Sequence, residues 1–89
     1  MKSERSPKFR AMYKKLPADI KERAEAAYEH FQRDPHHPSL HFKKLHTRKP
    51  YWSVRINDDY RAIGSLQGDT ILWGWIGPHN EYIEILKSL

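Results

Sequence analysis

"DPHHPSLHFKKLH", residues 34–46, is where the chain changes its repeat. Upstream, apolar residues recur at helical spacing. Downstream, they alternate. Pro35 disfavours helical geometry at Asp34, and Pro38 repeats the block. A helix is therefore expected to stop near Arg33, with Pro35 to Ser39 forming a rigid connection. The same stretch carries His36, His37, His41 and His46 together with Lys43 and Lys44. Three readings are open at this point: a metal site, a stop between helix and sheet, or the start of a surface that grips an anion.

Working back from the break, Ile20, Ala24, Ala27, Tyr28 and Phe31 form one helical stripe. Lys21, Glu22, Arg23, Glu25 and Glu29 suit its wet side. Before it, Phe9, Met12, Tyr13 and Leu16 lie at i, i+3, i+4 and i+7. Ser6 is a plausible N-cap with Pro7 at the first helical position. Pro17 ends the first helix and suits the first turn of the second. Two helices joined so tightly make a helical hairpin.

Working forward, the period is two. Leu40 and Phe42 alternate with His41 and Lys43, and Trp52, Val54 and Ile56 alternate with Ser53, Arg55 and Asn57. Asn57-Asp58-Asp59 marks a turn, Tyr60 to Leu66 a strand, Gln67-Gly68-Asp69 another turn, and Thr70 to Ile76 a further strand. "TILWGWIG" is apolar on both faces, which places it centrally in a sheet. Gly77-Pro78 ends it. His79 to Leu86 is expected to close the chain as a short helix with Tyr82, Ile83 and Leu86 inward. The fold class is α+β: an N-terminal helical hairpin packed on an antiparallel meander, with a short C-terminal helix. Residues 1–89 read as one domain.

An apolar fraction of 38% suffices for one modest core. The absence of cysteine excludes disulfides, Cys-based zinc sites and thiol catalysis. No apolar run approaches the roughly 18 residues of a membrane helix, and Met1 to Arg10 is not followed by the apolar stretch of a secretion signal. A cytoplasmic protein without membrane contact is expected. The net charge is +5, and residues 36–50 hold four Lys/Arg and four His without one acid. Such a segment suits a polyanionic partner, or else a solvated face or an acidic protein.

Zinc needs about four ligands. There is no His-Glu-x-x-His, and neighbouring His36 and His37 point apart, so no metal and no cofactor are expected. A hairpin closing through Asp58 sets Arg55 opposite Arg61. Two like charges facing each other across a strand pair need compensation, from Asp58, Asp59 or Glu81 or from a bound phosphate. His79 and Tyr82, at i and i+3 of a helical turn, share a side. Arginines, a histidine and a tyrosine on one sheet face fit RNA cleavage without metal. A 2′-hydroxyl attacks the adjacent phosphate, so a base, an acid and cations are required. His79 would be base or acid, Arg55 and Arg61 would hold the phosphate, and Tyr82 would orient or stack a base.

"DPHHPSLHFKKL", "WSVRINDDYRAIG" and "ILWGWIGPHNEYIEIL" resemble the RelE/ParE superfamily of type II toxin–antitoxin toxins, in its plasmid-stabilisation or cytotoxin branch. The resemblance runs from about Phe9 to Leu86. It implies the helical hairpin on a twisted antiparallel sheet already read from the periods. Family members usually begin with a strand. Only Met1 to Arg5 is available for it here, so that strand is expected to be very short or missing, leaving a sheet edge for an antitoxin segment. The resemblance implies ribosome-dependent mRNA cleavage, the endoribonuclease or mRNA interferase activity, with Arg55, Arg61, His79 and Tyr82 in the reaction. Lys43, Lys44, His46, Arg48 and Lys49 are then assigned to mRNA or ribosomal RNA. The alternatives are a DNA gyrase poison or a degenerate toxin that only binds its cognate antitoxin.

Overall fold

A computed structural model describes all residues from Met1 to Leu89. Helix α1, Pro7–Lys14, begins where the Ser6 hydroxyl accepts the Phe9 N–H at 3.1 Å. Helix α2, Ala18–Arg33, follows after Pro17, and the Asp34 N–H closes its last turn on the His30 carbonyl at 2.8 Å. Both helices match the spacing and the caps read from the sequence.

The chain beyond Asp34 departs from the expected strand. Pro38–Leu40 forms a single 3-10 turn, capped by His37, whose Nδ1 accepts the Ser39 N–H at 3.2 Å. His41 then takes a left-handed conformation, with φ at 44°. A left-handed residue cannot continue a pleat. Strand β2 is therefore only Lys43–Lys44. Leu40, read as the start of an alternating strand, instead fills the gap between α2 and the sheet and is fully buried.

Strands β3 (Tyr51–Arg55), β4 (Tyr60–Gln67) and β5 (Thr70–Pro78) form the expected meander, and α3 (His79–Ser88) closes the chain. The first strand is present after all. Strand β1, Lys2–Arg5, pairs parallel with β5, from Lys2 opposite Thr70 to Arg5 opposite Trp73. It has no apolar periodicity because its residues are placed by main-chain and side-chain hydrogen bonds. The Lys2 N–H donates to the Asp69 carbonyl at 2.7 Å and the Ser6 N–H to that of Trp73 at 3.0 Å. The Trp73 indole N–H donates to the Ser3 hydroxyl at 2.9 Å. The sheet is consequently mixed, in the order β1-β5-β4-β3-β2, and β1 covers the edge that was expected to stand open. Strand β4 is its centre, and the doubly apolar β5 lies one place out, between β1 and β4.

The two faces of the sheet have separate cores. On one, Phe9, Ala24, Ala27 and Phe31 of the hairpin meet Val54, Ile56, Ala62, Ile71, Trp73 and Ile76. On the other, α3 packs Tyr82 against Ile63 and Leu45, with Tyr51, Trp75, Ile83 and Leu86 alongside. Each large apolar side chain buried in this way contributes about 1.5–3 kcal/mol. The register slips between Ile63 and Gly64, so that Ile63 faces Trp75 while Gly64 faces Trp73. This bulge leaves Gly74 without a partner and keeps side chains in register on both faces.

Gly64 is required by packing. A Cβ there would lie 2.8 Å from both Ile71 and Trp73. Gly64→Ala is expected to cost about 1–3 kcal/mol in urea unfolding, whereas Gly74→Ala, which meets nothing within 4 Å, should stay within about 0.5 kcal/mol of the parent.

Candidate functional site

The site begins with one turn. The Asn57 carboxamide oxygen accepts the N–H groups of Asp59 and Tyr60, both at 2.9 Å, and this local bonding reverses the chain between β3 and β4. The register that results sets Arg55 directly opposite Arg61. The two cations are compensated separately. Arg55 pairs with the Asp58 carboxylate in a wholly polar cleft that also contains Asp19, Glu22, Arg23 and Asp59. The Arg61 guanidinium turns back on its own turn, one nitrogen donating to the Asn57 carbonyl at 2.5 Å and the Tyr60 carbonyl at 2.9 Å. A carboxylate and two carbonyl dipoles thus compensate the pair. The hydrogen bond and charge of Arg55, with smaller help from Arg61 and Arg23, hold the Asp58 carboxyl below its ordinary range.

His79 opens α3 on the far side of the same turn. Its main-chain N–H donates to the Asp59 carbonyl at 2.7 Å, and its ring is exposed. Three of the residues selected from the sequence, Arg55, Arg61 and His79, therefore touch the four-residue loop from Asn57 to Tyr60 at one end of the sheet.

Tyr82 does not join them as a ligand-facing group. It is 3% exposed. Its ring centroid lies 5.8 Å from that of His79, and its hydroxyl shares a 3.0 Å hydrogen bond with the buried Ser53 hydroxyl. A ring without a free face cannot stack a nucleobase. The base-stacking role read for Tyr82 is corrected: it is the core residue that fixes α3 on the sheet. The i, i+3 spacing placed it on the same side as His79, but His79 sits beyond the end of the sheet and Tyr82 lies directly over it.

The basic segment is a surface strip. Lys43, His46, Arg48 and Lys49 are exposed. Lys44 is exposed too, yet its ammonium donates to the Thr47 carbonyl at 2.8 Å and approaches those of Leu45 and Lys49 at 3.4 Å, so it staples the loop that carries the others. Lys43 stands opposite Ser53 on the face that α3 partly covers. It lines a small cleft with His46, Tyr82 and Leu86. Buried Tyr82 is thus flanked by His79 on one side and by the strip on the other. His37 caps the 3-10 turn, and its ring stacks on His30 at 4.5 Å. No three His, Asp or Glu side chains converge as a metal site would require. No helix is long and apolar enough to cross a membrane.

Sequence reasoning took Trp75 as an ordinary strand residue and assigned no role to Tyr51. Both are half-buried, on the face with α3, and line one open cleft. The bulge next to Gly64 sets Trp75 on the opposite face from Trp73 with no signal in the sequence, whereas Tyr51 lies on the opposite face from Trp52 by simple alternation along β3.

The sequence family described as the ParE-like toxin domain matches residues 18–84. The backbone is similar to a chain of the RelB–RelE antitoxin–toxin complex from Methanococcus jannaschii, at 20% identity and a TM-score of 0.74 over 92% of this chain and 96% of that one. It is similar to YafQ from E. coli strain BL21(DE3), at 15% identity and a TM-score of 0.71 over 90% of this chain and 94% of that one. The YoeB/ParE toxin from Agrobacterium tumefaciens is similar at 18% identity and a TM-score of 0.69, over 89% of this chain and 99% of that one. At these identities the likeness is one of fold. No curated protein matches the sequence.

Two outcomes follow from the geometry. Ser53→Ala and Tyr82→Phe should each cost about 1–3 kcal/mol, and the double variant should cost less than their sum, because the second change removes the partner the first left unpaired. In an NMR pH titration, Arg55→Gln should return the Asp58 carboxyl toward its ordinary range. The pair lowers that pKa in the folded state, so its stabilisation is present above the ordinary carboxylate range and is lost as pH falls through the lowered value.

Proposed function

This chain belongs to the ParE-like toxin family, within the RelE/ParE superfamily, and we propose that, as the toxin of a type II toxin–antitoxin module, it cleaves mRNA on the ribosome. The observation that carries the reading is the position of His79. It is an exposed imidazole fixed at its main chain by the turn that also holds Arg55 and Arg61, and it lies beyond Tyr82 from a basic strip without a single acid.

The chemistry asks little more of the protein. The 2′-hydroxyl of one nucleotide attacks the phosphorus of the next. Its proton passes to a base, negative charge grows on the phosphoryl oxygens, and the 5′-oxygen leaves with a proton from an acid. An imidazole is suited to either proton transfer near neutral pH. Arg61 is the nearer cation for the phosphoryl oxygens, since it stands across from Gly77, two residues before His79. Arg55 would reach phosphate only by exchanging Asp58. That substitution of one anion for another is chemically reasonable, because Asp58 is fully exposed and readily rehydrated. Lys43, His46, Arg48 and Lys49 would bind the RNA backbone nonspecifically, with Lys44 shaping their loop. The partners are then mRNA and the ribosome as targets and a cognate antitoxin as inhibitor, in the cytoplasm.

One set of observations favours a second reading, inhibition by binding alone, as in a DNA gyrase poison. Tyr82 is closed off and both arginines are compensated at rest.

Induced expression of wild type and His79→Ala, with primer extension on a reporter mRNA, separates the two. The expected outcome is growth arrest with discrete mRNA cuts in the wild type, and loss of both in the variant. Arrest with intact mRNA that persists in His79→Ala would replace cleavage by the binding reading, which a gyrase supercoiling assay then tests.

A further inference from the structure

The sheet face that carries α3 is not fully covered. Beside the helix lies an open cleft of about 400 Å³ between its last turn and the start of α1. That size falls within the roughly 300–1,000 Å³ of small-ligand sites. Its floor is low, because Ser65 and Gly74 supply little or no side chain, and a Cβ at Gly74 would meet nothing within 4 Å. Two aromatic rings, Tyr51 and Trp75, line it. Leu72 and Leu89, at 41% and 42% exposure, form apolar walls, and they are two of the three large hydrophobic residues the chain leaves exposed. Lys8 is the only charged side chain lining the cleft.

We propose that this cleft takes an unpaired nucleobase of single-stranded RNA, with Trp75 and Tyr51 as its stacking platforms. The proposal rests on the RNA reading above and deepens it. Three features favour a base over an apolar protein side chain. The cleft is continuous with the basic strip, since the Lys49 ammonium lies 5.9 Å over the Tyr51 ring. No carboxylate side chain lines it, and Lys8 supplies a cation for the phosphate that accompanies any base. Aromatic platforms beside a cationic track are what a single strand needs, because every base has a π-face while its phosphates need counter-charge. Leu72 and Leu89 would close the second side, as aliphatic walls do when a base is sandwiched. The platform lost with the burial of Tyr82 is thereby supplied by its neighbour. The Trp75 ring is tilted against Tyr82 at 6.5 Å and covers Gly77, where a Cβ would lie 2.7 Å from the indole. Trp75 is therefore held in place before any ligand arrives, which lowers the entropic cost of stacking.

The test uses the intact protein and a short 2′-O-methyl oligoribonucleotide, which lacks the nucleophilic hydroxyl and so survives binding. An abasic strand with the same number of phosphates is the control. The expected result is tighter binding of the base-bearing strand and quenching of tryptophan emission. Trp73 and Trp52 lie in the opposite core, so Trp75→Phe should retain binding and lose the quench. Trp75→Ala and Tyr51→Ala should each weaken binding roughly tenfold with the salt dependence unchanged, since stacking releases no counterions. The Phe variant keeps the test valid if Trp75→Ala fails to fold. Wild-type binding with no preference over the abasic strand and an unaltered Trp75 would overturn the cleft and leave the RNA reading standing. No binding by the wild type at any salt would overturn both. Protection of Trp75 from a neutral quencher by the cognate antitoxin, with no protection by the oligonucleotide, would reassign the cleft to protein docking.

Discussion

Burial of β5 from both sides is the constraint on which the rest of the molecule depends. Its side chains Ile71, Trp73 and Ile76 face the helical hairpin, while Trp75 faces α3. A strand apolar on both faces must have cover above and below, and its main-chain groups need partners on both edges. The hairpin and α3 supply the first requirement, and β1 and β4 the second. A register slip next to Gly64 keeps these assignments consistent along the strand. Without the slip, strict alternation would put Trp73 and Trp75 on the same face and turn Ile76 out of the hairpin core.

The end of the same strand positions the candidate site. After Gly77 and Pro78 the chain turns directly into α3, and the His79 N–H is held by Asp59. The turn that offers this carbonyl also absorbs the charge of Arg55 and Arg61. Fold and electrostatics are therefore coupled there. The bonds that place the cations together also compensate their charge. An exposed ion pair such as that of Arg55 with Asp58 is weak in water, so its pairing defines a resting arrangement more than a barrier. The basic strip differs, because no acid lies within residues 36–50 to neutralise it.

How much of this was legible in the sequence depended on the range of the interactions. Ser6, Pro7 and Pro17 announced the two helices through local caps and fixed dihedrals, and α1 and α2 follow them. The Asn57-Asp58-Asp59 turn announced the β3–β4 register, and Arg55 does stand opposite Arg61. The alternation from Leu40 to Phe42 misled, because the left-handed His41 converts a strand pattern into a plug under α2. Strand β1 had no local signal at all. Lys2 to Arg5 is extended because β5 offers a free edge and Trp73 offers an indole N–H to Ser3. The site was legible as a list of residues. His79 and Tyr82 share a side by helical arithmetic, but only the length of β5 determines that one protrudes past the sheet and the other is sealed above Ser53.

The sequence by itself determined the helical hairpin, the break at Asp34-Pro35, the meander and its turns, the family, and the acid-free basic segment. These arise from contacts a few residues apart or from composition, so they survive translation into one dimension. Tertiary structure alone decided that β1 closes the edge of β5, that Tyr82 is core, that Lys44 staples a loop, and that Trp75 and Tyr51 share an open cleft. Each of those depends on which groups meet across large sequence separations. Such meetings are set by sheet register and by competition for burial and hydrogen bonds, quantities that no single stretch of the chain contains.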